Sequence, residues 1–384
     1  MVFVRAVVVG AGAVLLMMLG VGVAFAAEEG SQEAALFQFH RGQDVLLMLM
    51  LVAFLMLFIR RYEWGVCLAT LLVLSVSWPL YLIGYTEVLG NPLDIEAVIL
   101  GAFASITLVL AIGVFLGHIS TIHFLLAGVL FVPAYMVNEW FIFEFLDGVL
   151  DSGGSILVHM FAAYWGWGVI LGLRNKAVVG EPMHTSTHSV SFVWLASMLL
   201  FVLWPSFVTA LLPPDQVIPG MINTYLALMA STLSAYVLMY VLRRKIDPLA
   251  YTYAILAGGV AIGATVDLAS PWQAWVIGAI GGVVSTLSFL YLNDWLVRKT
   301  GVLDTMGVHN LHGTPGVFGA LAAIVVAGAP PAQWAAIAGT FVIAMITGVI
   351  TGLVLRLFPR PAAMLDDAEA LDIEETRAAE AADR

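Results

Sequence analysis

The chain has 384 residues, of which 61% are hydrophobic and only 11% are charged. A soluble domain carries about a quarter charged residues, so this composition excludes a water-soluble globular protein. The net charge of -11 gives no indication of a nucleic-acid partner, since 8 of the 26 acidic residues lie in the final stretch, 366–383. With one cysteine, Cys67, an internal disulfide is excluded.

The N-terminus predicts a cleaved signal peptide over residues 1–26. Arg5 is the charged start, residues 6–23 are the apolar body, and Ala24-Phe25-Ala26 is a small-x-small cleavage site. The alternative is an extra membrane-spanning helix. Cleavage would leave the mature N-terminus outside the cytoplasm.

Apolar segments long enough to cross a hydrocarbon core recur along the rest of the chain. They predict an all-α polytopic membrane protein with a transmembrane domain over 27–360 and an acidic cytoplasmic tail over 361–384. The tail would be the contact for a cytoplasmic regulator. Eleven spans are predicted, at about 43–60, 64–84, 95–117, 120–144, 153–173, 189–212, 221–242, 248–268, 272–296, 308–328 and 332–357.

Basic residues predict the orientation of these spans. Apart from Arg41, they fall on alternate connections and after the last span, whereas the other connections are acidic. Because cytoplasmic loops are enriched in lysine and arginine, the N-terminus is expected outside and the C-terminus inside. The residues that carry this bias are Arg60, Arg61, Arg174, Lys176, Arg243, Arg244, Lys245, Arg298, Lys299, Arg356 and Arg360.

Two histidines in apolar spans have matched surroundings. His159 and His312 each follow an aspartate by eight residues, Asp151 and Asp304, and each precedes a glycine by seven. Their spans enter from opposite sides, so we predict two inverted five-helix repeats, about 43–173 and 189–328, plus a final helix at 332–357. Eight helical residues rise about 12 Å, which puts both histidines near mid-membrane.

The histidine pair is interpreted as functional, because a neutral imidazole offers one donor and one acceptor and two rings can share a proton. Asp151 and Asp304 are interpreted mainly as helix caps. His309 shares roughly the face of His312, and either packs or lines the inner mouth of a pore. Four other histidines are expected to be solvated or interfacial: His118, His123, His184 and His188.

The motifs around these residues resemble the Rhesus branch of the ammonium transporter family. The two longest are Asp151-Ser-Gly-Gly-Ser-Ile-Leu-Val-His159-Met-Phe-Ala-Ala-Tyr and Asp304-Thr-Met-Gly-Val-His-Asn-Leu-His312-Gly-Thr-Pro-Gly-Val-Phe-Gly319. The resemblance runs in order from about residue 36 to 358. Shorter matches are Gln43-Asp44-Val45, Val137-Asn138-Glu139, Trp204-Pro205-Ser206-Phe207, Ile222-Asn223-Thr224-Tyr225 and Leu256-Ala257-Gly258-Gly259-Val260.

The resemblance implies a bacterial-type member, without enzymatic activity, cofactor or metal, that forms a homotrimer in the cytoplasmic membrane. Each subunit would hold one narrow pore lined by the twin histidines. The remaining implied site residues are the phenylalanine gate, Phe103 and Phe207; the outer vestibule, Glu139 and Trp140; the mouth aspartates, Asp151 and Asp304; and the inner mouth, His309 and Asn310.

Two positions depart from the Rhesus pattern. Leu46 stands where a histidine is common, and Trp140 stands where phenylalanine is common. Trp140 offers a cation–π face of the kind that the other branch uses at the outer mouth.

These features predict a channel in which ammonium loses its proton at the outer entrance and neutral ammonia crosses the pore. A bare cation faces a large desolvation cost there. Carbon dioxide is an alternative solute for the same fold. A distant alternative is a membrane electron-transfer protein with haem between His159 and His312.

Overall fold

The computed structural model describes residues 29–59, 62–176, 179–180, 185–328, 331–359, 361 and 366–372. The chain divides into two compact units, Met1–Phe37 and Gln38–Arg384, and the site described below lies in the second. The predicted signal peptide lies outside the described residues.

Helices form the described fold, and no β-strand occurs among the described residues. The first helix, α1, runs over Glu29–Leu55. In the described part of the chain, the helices long and apolar enough to cross a membrane are ten that follow α1: α2 Trp64–Val88, α3 Ile95–Phe115, α4 Ile122–Phe145, α5 Ser155–Leu173, α6 Thr187–Val208, α7 Pro214–Arg243, α8 Pro248–Thr265, α9 Pro271–Thr300, α10 His309–Ala327 and α11 Pro331–Leu355. A short α12, Asp367–Ala370, follows in the tail.

The predicted all-α multi-pass fold is confirmed, and each of these ten helices coincides with one predicted span. The first predicted span, 43–60, falls on α1, which ends five residues earlier. α1 begins in polar sequence, and it is not among the ten helices that qualify by length and apolarity.

Burial separates central helices from peripheral ones. The apolar windows of α3, α5 and α8 are 83–89% buried, whereas those of α2, α7 and α11 are 28–33% buried. A helix that is apolar all round and fully covered is a core helix, and one with an exposed apolar face suits lipid contact. The central helices include the one that carries His159.

α3 and α8 end in the same way and contact the opposite repeat reciprocally. Each finishes in a 3₁₀ turn that begins at a glycine, Gly113 in α3 and Gly263 in α8. The backbone N–H of Met306 donates to the Gly113 carbonyl at 3.2 Å, and that of Gly153 donates to the Gly263 carbonyl at 2.7 Å. Each donor lies two residues after the aspartate of a matched histidine motif. These reciprocal junctions are the arrangement expected of inverted repeats.

Glycine permits close packing of α11 against α5. A Cβ on Gly348 would stand 2.2 Å from the Trp165 carbonyl oxygen, and one on Gly168 would stand 2.7 Å from that of Met345. Small residues of this kind let membrane helices approach backbone to backbone. α11 therefore packs directly against α5, the helix that carries His159.

The connection between α3 and α4 corrects one expectation. His118 and His123 were expected to be solvated or interfacial, yet both are fully buried. The connection folds inward: the His118 ring reaches Thr305, and the His123 Nδ1 lies 2.7 Å from the Ser120 hydroxyl. His188 is exposed as expected, and His184 lies outside the described residues.

Candidate functional site

His159 and His312 meet in the interior. Their Nδ1 atoms lie 3.1 Å apart, and their rings are nearly parallel, with an interplanar angle of 13°. Both side chains are buried, at 2% and 4% exposure. At that distance one Nδ1 donates and the other accepts, so a single proton sits between the two rings.

Both histidines lie in π-helical turns at the start of their helices, 155–160 in α5 and 309–313 in α10. In the first turn the His159 N–H donates to the Gly154 carbonyl, five residues back, at 3.0 Å. Gly154 adopts φ +78, a left-handed conformation that glycine takes without strain. Wide turns of this type are frequent at functional sites.

The two aspartates cap these turns. The Asp151 carboxylate accepts the backbone N–H groups of Ile156 and Leu157 at 2.8–3.0 Å. The Asp304 carboxylate accepts those of Val308 and His309 at 3.0 and 2.8 Å. Such caps satisfy amide groups that have no partner inside the helix.

Burial changes the protonation of these caps. Desolvation raises the pKa of Asp151 to about 7 and that of Asp304 to about 6, and their hydrogen bonds to backbone N–H groups act in the opposite direction. No described hydrogen bond joins either carboxylate to a histidine ring. Both act on the pair by fixing the helix starts.

Two apolar cavities lie along the histidine pair. We name them the outer and the inner cavity after the predicted orientation of the chain, and His312 lines both. The outer cavity is lined by Met48, Val52, Leu55, Ile106, Leu110, His159, Leu200, Trp204, Phe207, Leu256, Leu311 and His312. The inner cavity is lined by Val52, Leu55, Met56, Leu110, Gly113, Tyr253, Met306, Val308, Leu311 and His312. The imidazoles therefore lie in a lining that is apolar apart from them, the Trp204 indole N–H and the Tyr253 hydroxyl.

The two predicted gate phenylalanines are in contact. The ring centroids of Phe103 and Phe207 lie 4.9 Å apart, and that of Phe207 lies 5.9 Å from His159. Both phenylalanines are buried. Phe207 lines the outer cavity, and Phe103 packs against it from outside that lining.

The vestibule candidates lie apart from the passage. The Tyr81 hydroxyl donates to the Glu139 carboxylate at 2.8 Å. Trp140 is 53% exposed, and its ring packs on Phe145 with the centroids 5.4 Å apart. Neither Glu139 nor Trp140 lines either cavity.

The inner-mouth candidates also face away from the cavities. The His309 ring packs edge-on against Tyr164 and Trp167 of α5. The Asn310 side chain accepts from the Ser288 hydroxyl at 2.7 Å and donates to Asn293 at 3.1 Å. Both residues thus join α10 to its neighbours.

One residue beside the pair, Trp204, was not predicted as part of the site. The Trp204 indole stacks on His159, with the ring centroids 5.7 Å apart and an angle of 21°. It lines the outer cavity. The available signal was its place three residues before Phe207. Among the described residues no group of three or more histidine, cysteine or acidic side chains is arranged to hold a metal.

A bundle of membrane-spanning helices around a narrow apolar passage with a buried imidazole pair defines a channel or transporter for a small solute. The profile of the Ammonium Transporter Family matches residues 5–382, and the chain belongs to that family. It is not an enzyme family.

The relatives place the chain in the Rhesus branch. Ammonium transporter Rh type A of Mus musculus is 33% identical over 335 residues, covering 82% of this chain and 76% of that protein. Ammonium transporter Rh type C of Oryctolagus cuniculus is 34% identical over 353 residues, covering 82% and 75%.

Solved structures agree with this placement. Nitrosomonas europaea Rh50, described as one of the Rhesus protein family of channels, superposes with a TM-score of 0.86 at 34% identity, covering 91% of this chain and 96% of that one. A sensor Amt protein superposes with a TM-score of 0.72 at 18% identity, covering 84% and 92%, which shows the shared fold alone.

Proposed function

We propose that this chain conducts neutral ammonia across the membrane along His159 and His312. The 3.1 Å contact between their Nδ1 atoms inside an apolar passage is the observation that carries the proposal. Ammonia leaving water loses its hydrogen bonds, and the imidazoles offer both a donor and an acceptor in return. A bare cation has no such compensation in the same passage.

The phenylalanine pair, Phe103 and Phe207, closes the outer end of this passage in the proposal. Ammonium is attracted by acidic groups outside the gate, including the half-buried Glu139, and gives up its proton there. The cation–π face of the exposed Trp140 contributes to that attraction. His309 and Asn310 hold the inner end of α10 in place and are not assigned contact with the solute.

We further propose a homotrimer in the bacterial cytoplasmic membrane, with the N-terminus outside, after removal of residues 1–26, and the C-terminus inside. The alternation of basic and acidic connections supports the orientation. Extensive apolar faces on the peripheral helices suit both lipid and subunit contacts. Light scattering of the purified protein in detergent measures the subunit number.

The test compares vesicles that contain the protein or its variant with both histidines replaced, His159→Ala plus His312→Ala. We expect ammonia entry, followed by a pH-sensitive dye inside the vesicle, to fall about thirtyfold, since two hydrogen bonds to the solute are lost at about 1 kcal/mol each. His188→Ala, at an exposed position, is the control. Unchanged entry and unchanged exclusion of potassium in the double variant would refute the proposal.

Two further measurements on the same vesicles separate the related mechanisms. An electrical current under an ammonium gradient would show that a proton crosses with ammonia. Permeability to carbon dioxide that depends on the histidine pair would assign the alternative solute.

A further inference from the structure

Each capping aspartate is followed directly by a hydroxyl residue, and both hydroxyls bind a titratable side chain across the repeat junction. Ser152 follows Asp151 and donates to the Asp267 carboxylate at 2.8 Å. Thr305 follows Asp304, and its hydroxyl oxygen lies 3.1 Å from the His118 Nε2. We name these contacts the outer clasp, Ser152–Asp267, and the inner clasp, Thr305–His118.

The two clasps occupy matched places in the inverted repeats. Asp267 lies four residues after the junction glycine Gly263, and His118 lies five residues after Gly113. Each clasp therefore ties the end of one central helix, α8 or α3, to the start of the helix that carries a pore histidine. The chemistry differs: the outer clasp uses a carboxylate and the inner clasp uses an imidazole.

The hydrogen bonds of Thr305 determine the tautomer of the His118 imidazole. The Thr305 hydroxyl has one hydrogen, and it donates to the Leu116 carbonyl at 3.0 Å. It can therefore only accept from His118, which must carry its proton on Nε2. Burial lowers the pKa of His118 to about 3, so the ring is neutral and its Nδ1 is bare.

Backbone contacts extend the inner clasp to the passage. The Thr305 N–H donates to the Val114 carbonyl at 3.1 Å, next to the junction bond between Met306 and Gly113. Met306 and Gly113 line the inner cavity. The Asn175 side chain, in the connection after α5, donates to the His118 carbonyl at 3.2 Å.

We propose that His118 and Asp267 are positioning residues of the pore, which hold the starts of α10 and α5 so that His312 and His159 meet at hydrogen-bond distance. Neither touches the solute. The inference rests on the proposed conduction of ammonia along the histidine pair.

Thr305→Val is the sharpest test of the inner clasp, because valine keeps the shape and removes the hydroxyl. We expect folded protein with a three- to tenfold lower ammonia conduction and altered nitrogen NMR shifts of His159 and His312. Thr305→Ser keeps the hydroxyl and is expected to restore both. His118→Gln, whose amide can still donate, should retain more conduction than His118→Leu.

Ser152→Ala repeats the test at the outer clasp, with Ser152→Thr as its matched control. Wild-type vesicles that fail to conduct ammonia would overturn the proposed function and leave the spectroscopic test of the clasps intact. If Thr305→Val and Ser152→Ala leave both conduction and the two histidine spectra as in the wild type, the clasp proposal is wrong. Should Thr305→Val fail to fold while Thr305→Ser and Ser152→Ala behave as wild type, the role is structural only and the proposal is likewise wrong.

Discussion

At the scale of single residues, the Asp151 carboxylate combines burial with three backbone hydrogen bonds from two amides. Its exposure is 3%, and its raised pKa of about 7 compares with an ordinary value of 3.8. The folded protein therefore binds this proton more tightly than the unfolded chain does. The resulting contribution to stability is fully present below pH 3.8 and is lost as pH rises toward 7.

Asp151→Asn tests the direction of this pH dependence, since asparagine keeps one accepting oxygen and has no charge to titrate. Between pH 5 and pH 8 the wild type should lose about 2 to 3 kcal/mol relative to this variant. Thermal unfolding in detergent at the two pH values measures the difference. A gap that stays constant, or that grows in the wild type's favour as pH rises, would contradict the assigned environment of Asp151.

The histidine pair could be predicted from the sequence for a physical reason. A polar ring in an apolar span is rare and costly, and the matched spacing of two such rings survives duplication of the fold. The helix face on which a neighbouring side chain lies could be predicted less well from the sequence. His309 was placed on the face of His312 by ordinary helical periodicity, but the π-helical turn over 309–313 is wider and turns His309 toward Tyr164 and Trp167.

At the scale of helices, ten of the eleven predicted spans coincide with helices long and apolar enough to cross a membrane, because apolar length is a local property of the sequence. Hydropathy could not predict the inward fold of the connection after α3, because the partner of His118 is Thr305, 187 residues away. Burial of a polar loop residue is decided by its distant hydrogen-bond partner. The same reason hid the reciprocal junctions at Gly113 and Gly263.

Packing of α11 on α5 gives a prediction at this scale. Gly348→Ala would place a methyl group 2.2 Å from the Trp165 carbonyl oxygen, so α11 must move. We expect a loss of at least about 3 kcal/mol, seen as a melting temperature roughly 5–10 °C lower. Ammonia conduction should fall with it, because α5 carries His159.

Ala338→Leu is the control, since it adds a larger group at an exposed position of the same helix. Equal melting temperatures for Gly348→Ala and the wild type would show that α11 does not pack on α5 at this distance.

At the scale of the whole molecule, the tail returns to the membrane domain. The Asp367 carboxylate accepts the backbone N–H groups of Glu63 and Trp64 at 3.0 Å and that of Gly65 at 2.6 Å. These amides lie at the start of α2, where a helix needs acceptors from outside for its first N–H groups, and a residue some 300 positions away supplies the cap. The connection that leads to them starts at Met56, which lines the inner cavity.

The cap thereby links the tail to the start of α2. A cytoplasmic regulator that binds the tail would compete with α2 for Asp367. Release of the cap would loosen the start of α2. The predicted regulatory role of the acidic tail can therefore be tested at the Asp367 carboxylate.

Asp367→Ala should remove the cap at a cost of about 1 kcal/mol, so the amides at the start of α2 should exchange with deuterium about five- to tenfold faster. Mass spectrometry of a peptide covering residues 62–70 measures the rate.

Asp366→Asn is the matched control: it removes the same charge and keeps an oxygen for the Ala368 N–H, which Asp366 accepts at 2.9 Å. Equal exchange rates in Asp367→Ala and the control would mean that the tail does not cap α2. Faster exchange with unaltered ammonia conduction would confine the tail to a structural role, because the inner cavity would then be insensitive to the connection that the cap holds.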